Sequence, residues 1–205
     1  MPALRFCGLL DASFAAHQRA RALDPSVPTS VHHTAWMRGE YTRALAETFG
    51  DIGYMQGLAL ASLGREREAI AALRWRERET AESRIRPYLA SLRTLLEGDQ
   101  EKCQSALDAA TALPLDAEAL YYQARTFARL GVEDRAAREF GRVVDGGFWC
   151  HETFVRDRWL NSIRHRTDVR QWLEQAMDHS ERAQTAFVRL RGPELLDLRV
   201  SRASA

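Results

Sequence analysis

The stretch from Ala117 to Val144, AEALYYQARTFARLGVEDRAAREFGRVV, decides the fold. Leu120, Tyr121, Ala124, Phe127 and Ala128 recur three and four residues apart, which places them on one face of an amphipathic helix. Gly131 ends that helix, because glycine adopts the left-handed backbone found just past a helix C-terminus. Asp134 is placed as the N-cap of the helix that follows. Ala136, Ala137, Phe140, Val143 and Val144 stripe that second helix. Two helices joined by so short a loop fold back antiparallel. Such a hairpin cannot bury its apolar face alone and must stack on neighbours.

The plan recurs upstream. Turn glycines stand at Gly8, Gly39, Gly64, Gly98 and Gly131, with successive spacings of 31, 25, 34 and 33 residues. Tyr88, Leu89, Leu92, Leu95 and Leu96 stripe one first helix; Pro87 in its first turn is harmless because its missing N–H has no helical partner there. Gly98-Asp99 makes the turn, and Cys103, Ala106, Leu107, Ala110 and Leu113 stripe the second helix up to Pro114. Ile52, Met55, Leu58, Ala59 and Leu63 precede Gly64, with Ala69, Ile70 and Leu73 after it. Val31, Ala35 and Met37 precede Gly39, and Tyr41, Ala44, Leu45 and Thr48 follow. The spacing of 25 means that one helix is short, and the loss is placed in the second helix, which must end near Gly50.

Residues 1–24 read as half a repeat: Gly8, then Phe14, Ala20 and Leu23, then Asp24-Pro25. The first helix is missing, which predicts a bare apolar face. The chain is therefore expected to be the tail of a longer array, or to associate with another copy through that face. Past Val144, Gly146-Gly147-Phe148-Trp149 breaks the rhythm. A helix from about His151 to His165 carries Phe154, Val155, Trp159, Leu160 and Ile163; Thr167 or Asp168 caps a last long helix that Gly192-Pro193 ends. The division is 1–148 repeats, 149–192 capping helices and 193–205 tail, with the last residues frayed. The fold class is all-α.

Composition excludes several classes. The 29 basic and 28 acidic residues nearly cancel, so no global field draws the chain to nucleic acid or an anionic membrane. The longest apolar run, Ile52 to Leu63, falls short of the ~18 residues of a membrane span, and Asp11 cuts off any signal-peptide core. The cysteines, Cys7, Cys103 and Cys150, are odd in number and form no CxxC, which predicts a reducing cytoplasm with neither disulfide framework nor zinc.

These units resemble tetratricopeptide (TPR) repeats. That pattern sets a turn Gly, then Ala, a large apolar residue and a small one roughly five, nine and twelve residues on. Gly131 has Ala136, Phe140 and Val143; Gly64 has Ala69, Leu73 and Arg76; Gly98 has Cys103, Leu107 and Ala110; Gly39 has Ala44 and Thr48; Gly8 has Ser13, His17 and Ala20, then Pro25. The resemblance covers residues 4–148. The stretch 154–164, FVRDRWLNSIR, looks like the segment that closes many bacterial TPR arrays, with Arg158 where a Pro commonly stands. Such arrays often trail a kinase, cyclase or transcriptional regulator.

The resemblance implies a right-handed superhelix of antiparallel hairpins whose first helices line a concave groove. Its inward position falls on Thr29, Tyr54, Tyr88 and Tyr121, so the three tyrosines could form a ladder against an extended peptide. Packing between helices is the competing reading of each. Arg125 and Arg129 could receive a carboxylate, or pair with a neighbouring Glu. The implied function is a non-catalytic scaffold for a protein or peptide; the alternative is a regulatory module sensing a small ligand. An open trough suits the first, an enclosed pocket the second.

Other motifs carry less. His32 and His33 diverge by about 100° on a helix and do not chelate together. Cys150-His151-Glu152 are consecutive and cannot wrap one ion, and Arg156 stands where a zincin needs its second His. The run Arg74-Trp75-Arg76-Glu77-Arg78-Glu79 interleaves charges like a solvated face with intrahelical pairs. No phosphate-cradling glycine loop, nucleophile elbow or kinase signature is present, so the chain reads as no enzyme and needs no cofactor.

Overall fold

The computed structural model describes residues 2–47, 53–80, 85–113 and 115–198. Among them are thirteen α-helices, one 3-10 turn and no strand. Five hairpins follow one another: α1 (Pro2–Phe6) with α2 (Leu10–Leu23), α3 (Val31–Met37) with α4 (Tyr41–Ala46), α5 (Gly53–Ser62) with α6 (Glu66–Glu79), α7 (Arg86–Leu96) with α8 (Gln100–Thr111), and α9 (Ala117–Leu130) with α10 (Glu133–Asp145). All five turn glycines have positive φ, from 75° to 86°. At Gly131, the left-handed C-cap of α9, the backbone N–H bonds to Ala128 and the next N–H to Phe127, which answers carbonyls the helix end would leave unpaired.

The shortening after Gly39 is real: α4 has six residues. Thr48, Gly50, Ile52, Pro114 and the tail from Ser201 lie outside the described residues. Asp99, read in the sequence only as part of the turn, also caps α8 by accepting the Lys102 N–H. Asp134 does not cap α10: Val132 holds that position, and Asp134 sits in the first turn, paired with Arg166 at 2.7 Å. Arg74, Trp75, Arg78 and Glu79 are exposed, but the pairs at Arg74 and Glu77 run between helices, to Glu97 just past α7 and to Arg93 of α7 at 2.8 and 2.6 Å, because Glu77 lies buried where α6 meets α7.

The helix expected over 151–165 is broken. Helix α11 (His151–Arg156) stops at Asp157, and a 3-10 turn (Arg158–Ser162) follows. Asp157 is extended (ψ 107°) and its carboxylate accepts the Trp159 N–H at 3.0 Å, so the backbone restarts instead of continuing. Helix α12 (Thr167–Arg189) begins after Arg166, one residue ahead of the expected cap, and short α13 (Gly192–Leu195) ends the described chain. Gly141 lets α10 and α12 approach: a Cβ there would lie 2.5 Å from the Trp172 ring.

The half repeat is not bare. The short α1 stands in the place of the missing first helix and reaches the far end of the chain. Arg5 donates to Glu118 of α9 at 2.6 and 3.2 Å, and to the Ser30 and Thr34 hydroxyls. Phe6 meets Phe148 edge-on at 5.2 Å, and its carbonyl accepts the Trp149 N–H at 2.6 Å. Phe14 is buried beneath the Arg43 guanidinium, 3.8 Å from the ring centroid. Leu23, expected on the apolar stripe, is 82% exposed. The first and fifth hairpins therefore touch, and the hairpins close on themselves.

Candidate functional site

The closure decides what the inner helices can offer. Helices α3, α5, α7 and α9 face one another, and their aromatic side chains fill the space between. Tyr54 and Tyr88 pack at 4.3 Å between centroids; Tyr122 reaches Tyr54 at 5.5 Å and Trp36 at 5.7 Å. Tyr121 packs against Phe148 and Phe154 at 5.5 and 5.3 Å. Burial pushes the phenol of Tyr54 up to about 12 and raises those of Tyr88, Tyr121 and Tyr122 well above their ordinary value.

The expected tyrosine ladder is corrected accordingly. Tyr121 is fully buried, and its hydroxyl donates to Asp157 at 2.8 Å. Tyr88 donates to the Ala119 carbonyl at 3.1 Å. Only Tyr54 and Tyr88 keep partial exposure, at one mouth of the ring, where they line a cavity of about 220 Å³ with His33, Glu118 and Tyr122. Thr29, at the equivalent position, turns a buried hydroxyl inward with no hydrogen-bond partner among the described residues. Arg125 and Arg129 do not converge: Arg125 is buried, whereas Arg129 is exposed on the last turn of α9, near Gly98 and Gln100.

The opposite mouth holds the more informative arrangement. A cavity of about 420 Å³ lies among Trp36, Tyr41, Arg125, Arg156, Arg158 and Trp159. Arg125 is its centre. Its Nε and Nη2 donate to Asp157 at 2.6 and 3.3 Å, with the two side chains 3% and 5% exposed. Trp159 and Trp36 lie over the guanidinium at 3.9 and 4.8 Å from its carbon. Nη1, on the edge away from Asp157, is buried and meets no acceptor among the described residues.

Asp157 is saturated, accepting from Arg125 twice, from Tyr121 and from the Trp159 N–H. Burial would raise its carboxyl, but the Arg125 charge and those bonds hold it below the usual carboxylate range. Arg156 is engaged with the Met37 carbonyl at 2.6 Å and with Glu152. Arg158 is exposed, with no ion pair among the described residues. The cavity thus presents donors and aromatic faces, and its one carboxylate is already spent.

A polar network closes the other side. Glu118 takes Arg5, His33 Nδ1 at 2.6 Å and the Tyr122 hydroxyl at 3.1 Å. Burial would raise its carboxyl, yet His33 and Arg5 beside it hold it at about 2. His32 and His33 touch at 4.6 Å between rings; His33 faces Glu118, while His32 is buried and its Nδ1 meets no partner among the described residues.

Sequence reasoning missed Trp36, Asp157 and Glu118 as site formers. The contacts that bring them to the site reach across the chain: Trp36 to Ser62, Asp157 to Tyr121 and Glu118 to Arg5 span 26, 36 and 113 residues, beyond the reach of helical spacing. No family model matches this chain, and no curated protein or solved structure was found to match it. No helix among the described residues is long and apolar enough to cross a membrane.

Proposed function

We propose that this chain is a non-catalytic binding module of the tetratricopeptide kind that meets its partner at the Trp36–Arg125–Trp159 mouth, not along a concave groove. The observation that supports this reading is the unanswered edge of Arg125. A buried cationic donor without an acceptor is costly, and native structures keep such groups where something else satisfies them. The filled interior argues against an extended peptide threading between the inner helices.

The leading partner is a protein that inserts one or two side chains. The second reading, a sensor of a small ligand, is favoured by a cavity of about 420 Å³, inside the ~300–1,000 Å³ range of small-molecule sites. The test is retention of partner proteins by immobilised wild-type, Arg158→Glu and Arg129→Glu chains, each first shown to be folded. Retention lost on Arg158→Glu and kept on Arg129→Glu supports the mouth. Retention indifferent to Arg158 contradicts it.

A further inference from the structure

We infer that the mouth cavity takes a small aromatic carboxylate in free form, a flat ring carrying one acid group. This rests on the mouth being the binding site, takes up the second reading of it as a small-ligand sensor, and adds the chemistry of its occupant.

Polarity gives the first argument. Most polar groups there that meet no partner among the described residues are N–H donors: Arg125 Nη1, the Arg158 guanidinium and the Trp159 indole, beside a Tyr41 hydroxyl that can give or take a bond. Asp157, the nearby acceptor, has its oxygens filled by four donors. A ligand bringing acceptors answers this excess of donors; one bringing only donors leaves Arg125 Nη1 unanswered.

Charge gives the second. Arg125 is neutralised by Asp157 and Arg156 by Glu152, which leaves Arg158 as the cation in excess. One excess cation matches a monoanion, and a charge-assisted bond gains about twice a neutral one. Shape gives the third. The Trp36 and Trp159 rings lie 4.8 and 3.9 Å from the guanidinium carbon, and Tyr41 adds a third ring 6.1 Å from Trp36. Flat walls favour a flat ligand by offset stacking. Trp159 is only partly buried and rides on a 3-10 turn, so its indole is the element that tilts to admit an oxygen to Nη1.

The experiment titrates phenylacetate into the full chain and follows the Trp159 indole N–H signal by NMR, with phenylacetamide as the uncharged control. The expected result is a saturable shift at Trp159 and binding about tenfold tighter for the acid than for the amide. Arg158→Gln should weaken the acid several-fold without changing the melting temperature; being exposed, this residue can be changed without unfolding the chain. Equal binding of acid and amide overturns the inference. So does a shift confined to Trp75, or binding only of a peptide ending in phenylalanine while phenylacetate fails. If phenylacetate fails but partner retention still depends on Arg158, the inference alone falls; if both fail, the mouth falls with it.

Discussion

Replacing Glu118 by alanine should unfasten the two ends of the hairpin series. Glu118 accepts from Arg5 at 2.6 and 3.2 Å, and the two side chains are 7% and 3% exposed. Removing the carboxylate strands a buried guanidinium and also frees His33 and the Tyr122 hydroxyl. Breaking a buried pair from one side costs about 3–5 kcal/mol, because the remaining charge has no counterpart. That is from about a fifth to the whole of a typical stability of about 5–15 kcal/mol. Arg5→Ala should cost less, about 2–3 kcal/mol, since Glu118 keeps two other donors. The double variant should fall short of the sum of the two by at least about 1 kcal/mol, the signature of contact. Urea denaturation followed by tryptophan fluorescence measures all three. A loss below about 1 kcal/mol for Glu118→Ala, or strict additivity, would refute the closure.

Acid should weaken the protein in two steps. Burial and nearby cations pull His17 down to about 4 and His32 to about 3, from an ordinary 6.5. Between these values the unfolded chain binds protons that the folded chain refuses, so stability falls as pH drops from 6.5 toward 4. Glu118, held at about 2, adds a second loss below its ordinary 4.5; denaturation midpoints across pH should show both limbs, with His17→Gln flattening the upper one. Phe14→Ala should cost about 3 kcal/mol without changing the mass in solution, whereas Leu23→Glu should stay within about 0.5 kcal/mol; light scattering and urea melts check both. Gly131→Ala, with open space around a left-handed backbone, should cost about 1 kcal/mol. Gly141→Ala should cost about 1–3 kcal/mol and disturb the near-UV dichroism of Trp172, which stands in the way of the new methyl.

The parts of this molecule that sequence reveals are those governed by neighbours in the chain. Gly98-Asp99 announces a turn, and Gly98 has the positive φ that a turn of this kind needs. Leu89, Leu92, Leu107 and Phe140 are buried where their helical spacing puts them. What stayed hidden depends on residues far apart. Arg5 looks like any N-terminal cation until Glu118, 113 residues on, is brought beside it. Tyr121 reads as an inward tyrosine, and closure turns it from a surface into core. Asp157 was read inside a helix, because apolar spacing runs through Phe154, Trp159 and Ile163 without registering that a short acidic side chain restarts the backbone. Arg125 was legible as a carboxylate partner; that its first carboxylate comes from its own chain was not.

The closure requires the first hairpin to reach the fifth, and one backbone bond reports it. The Trp149 N–H donates to the Phe6 carbonyl at 2.6 Å, joining α1 to the segment after α10. Residue-resolved amide exchange should find Trp149 protected to the level of core amides such as Phe127, with that protection lost in Arg5→Ala while Phe127 keeps its own. Exchange of Trp149 at the rate of a free loop in the unaltered protein would mean that the ends do not meet, that the inner tyrosines face an open groove, and that the mouth is not where this chain binds.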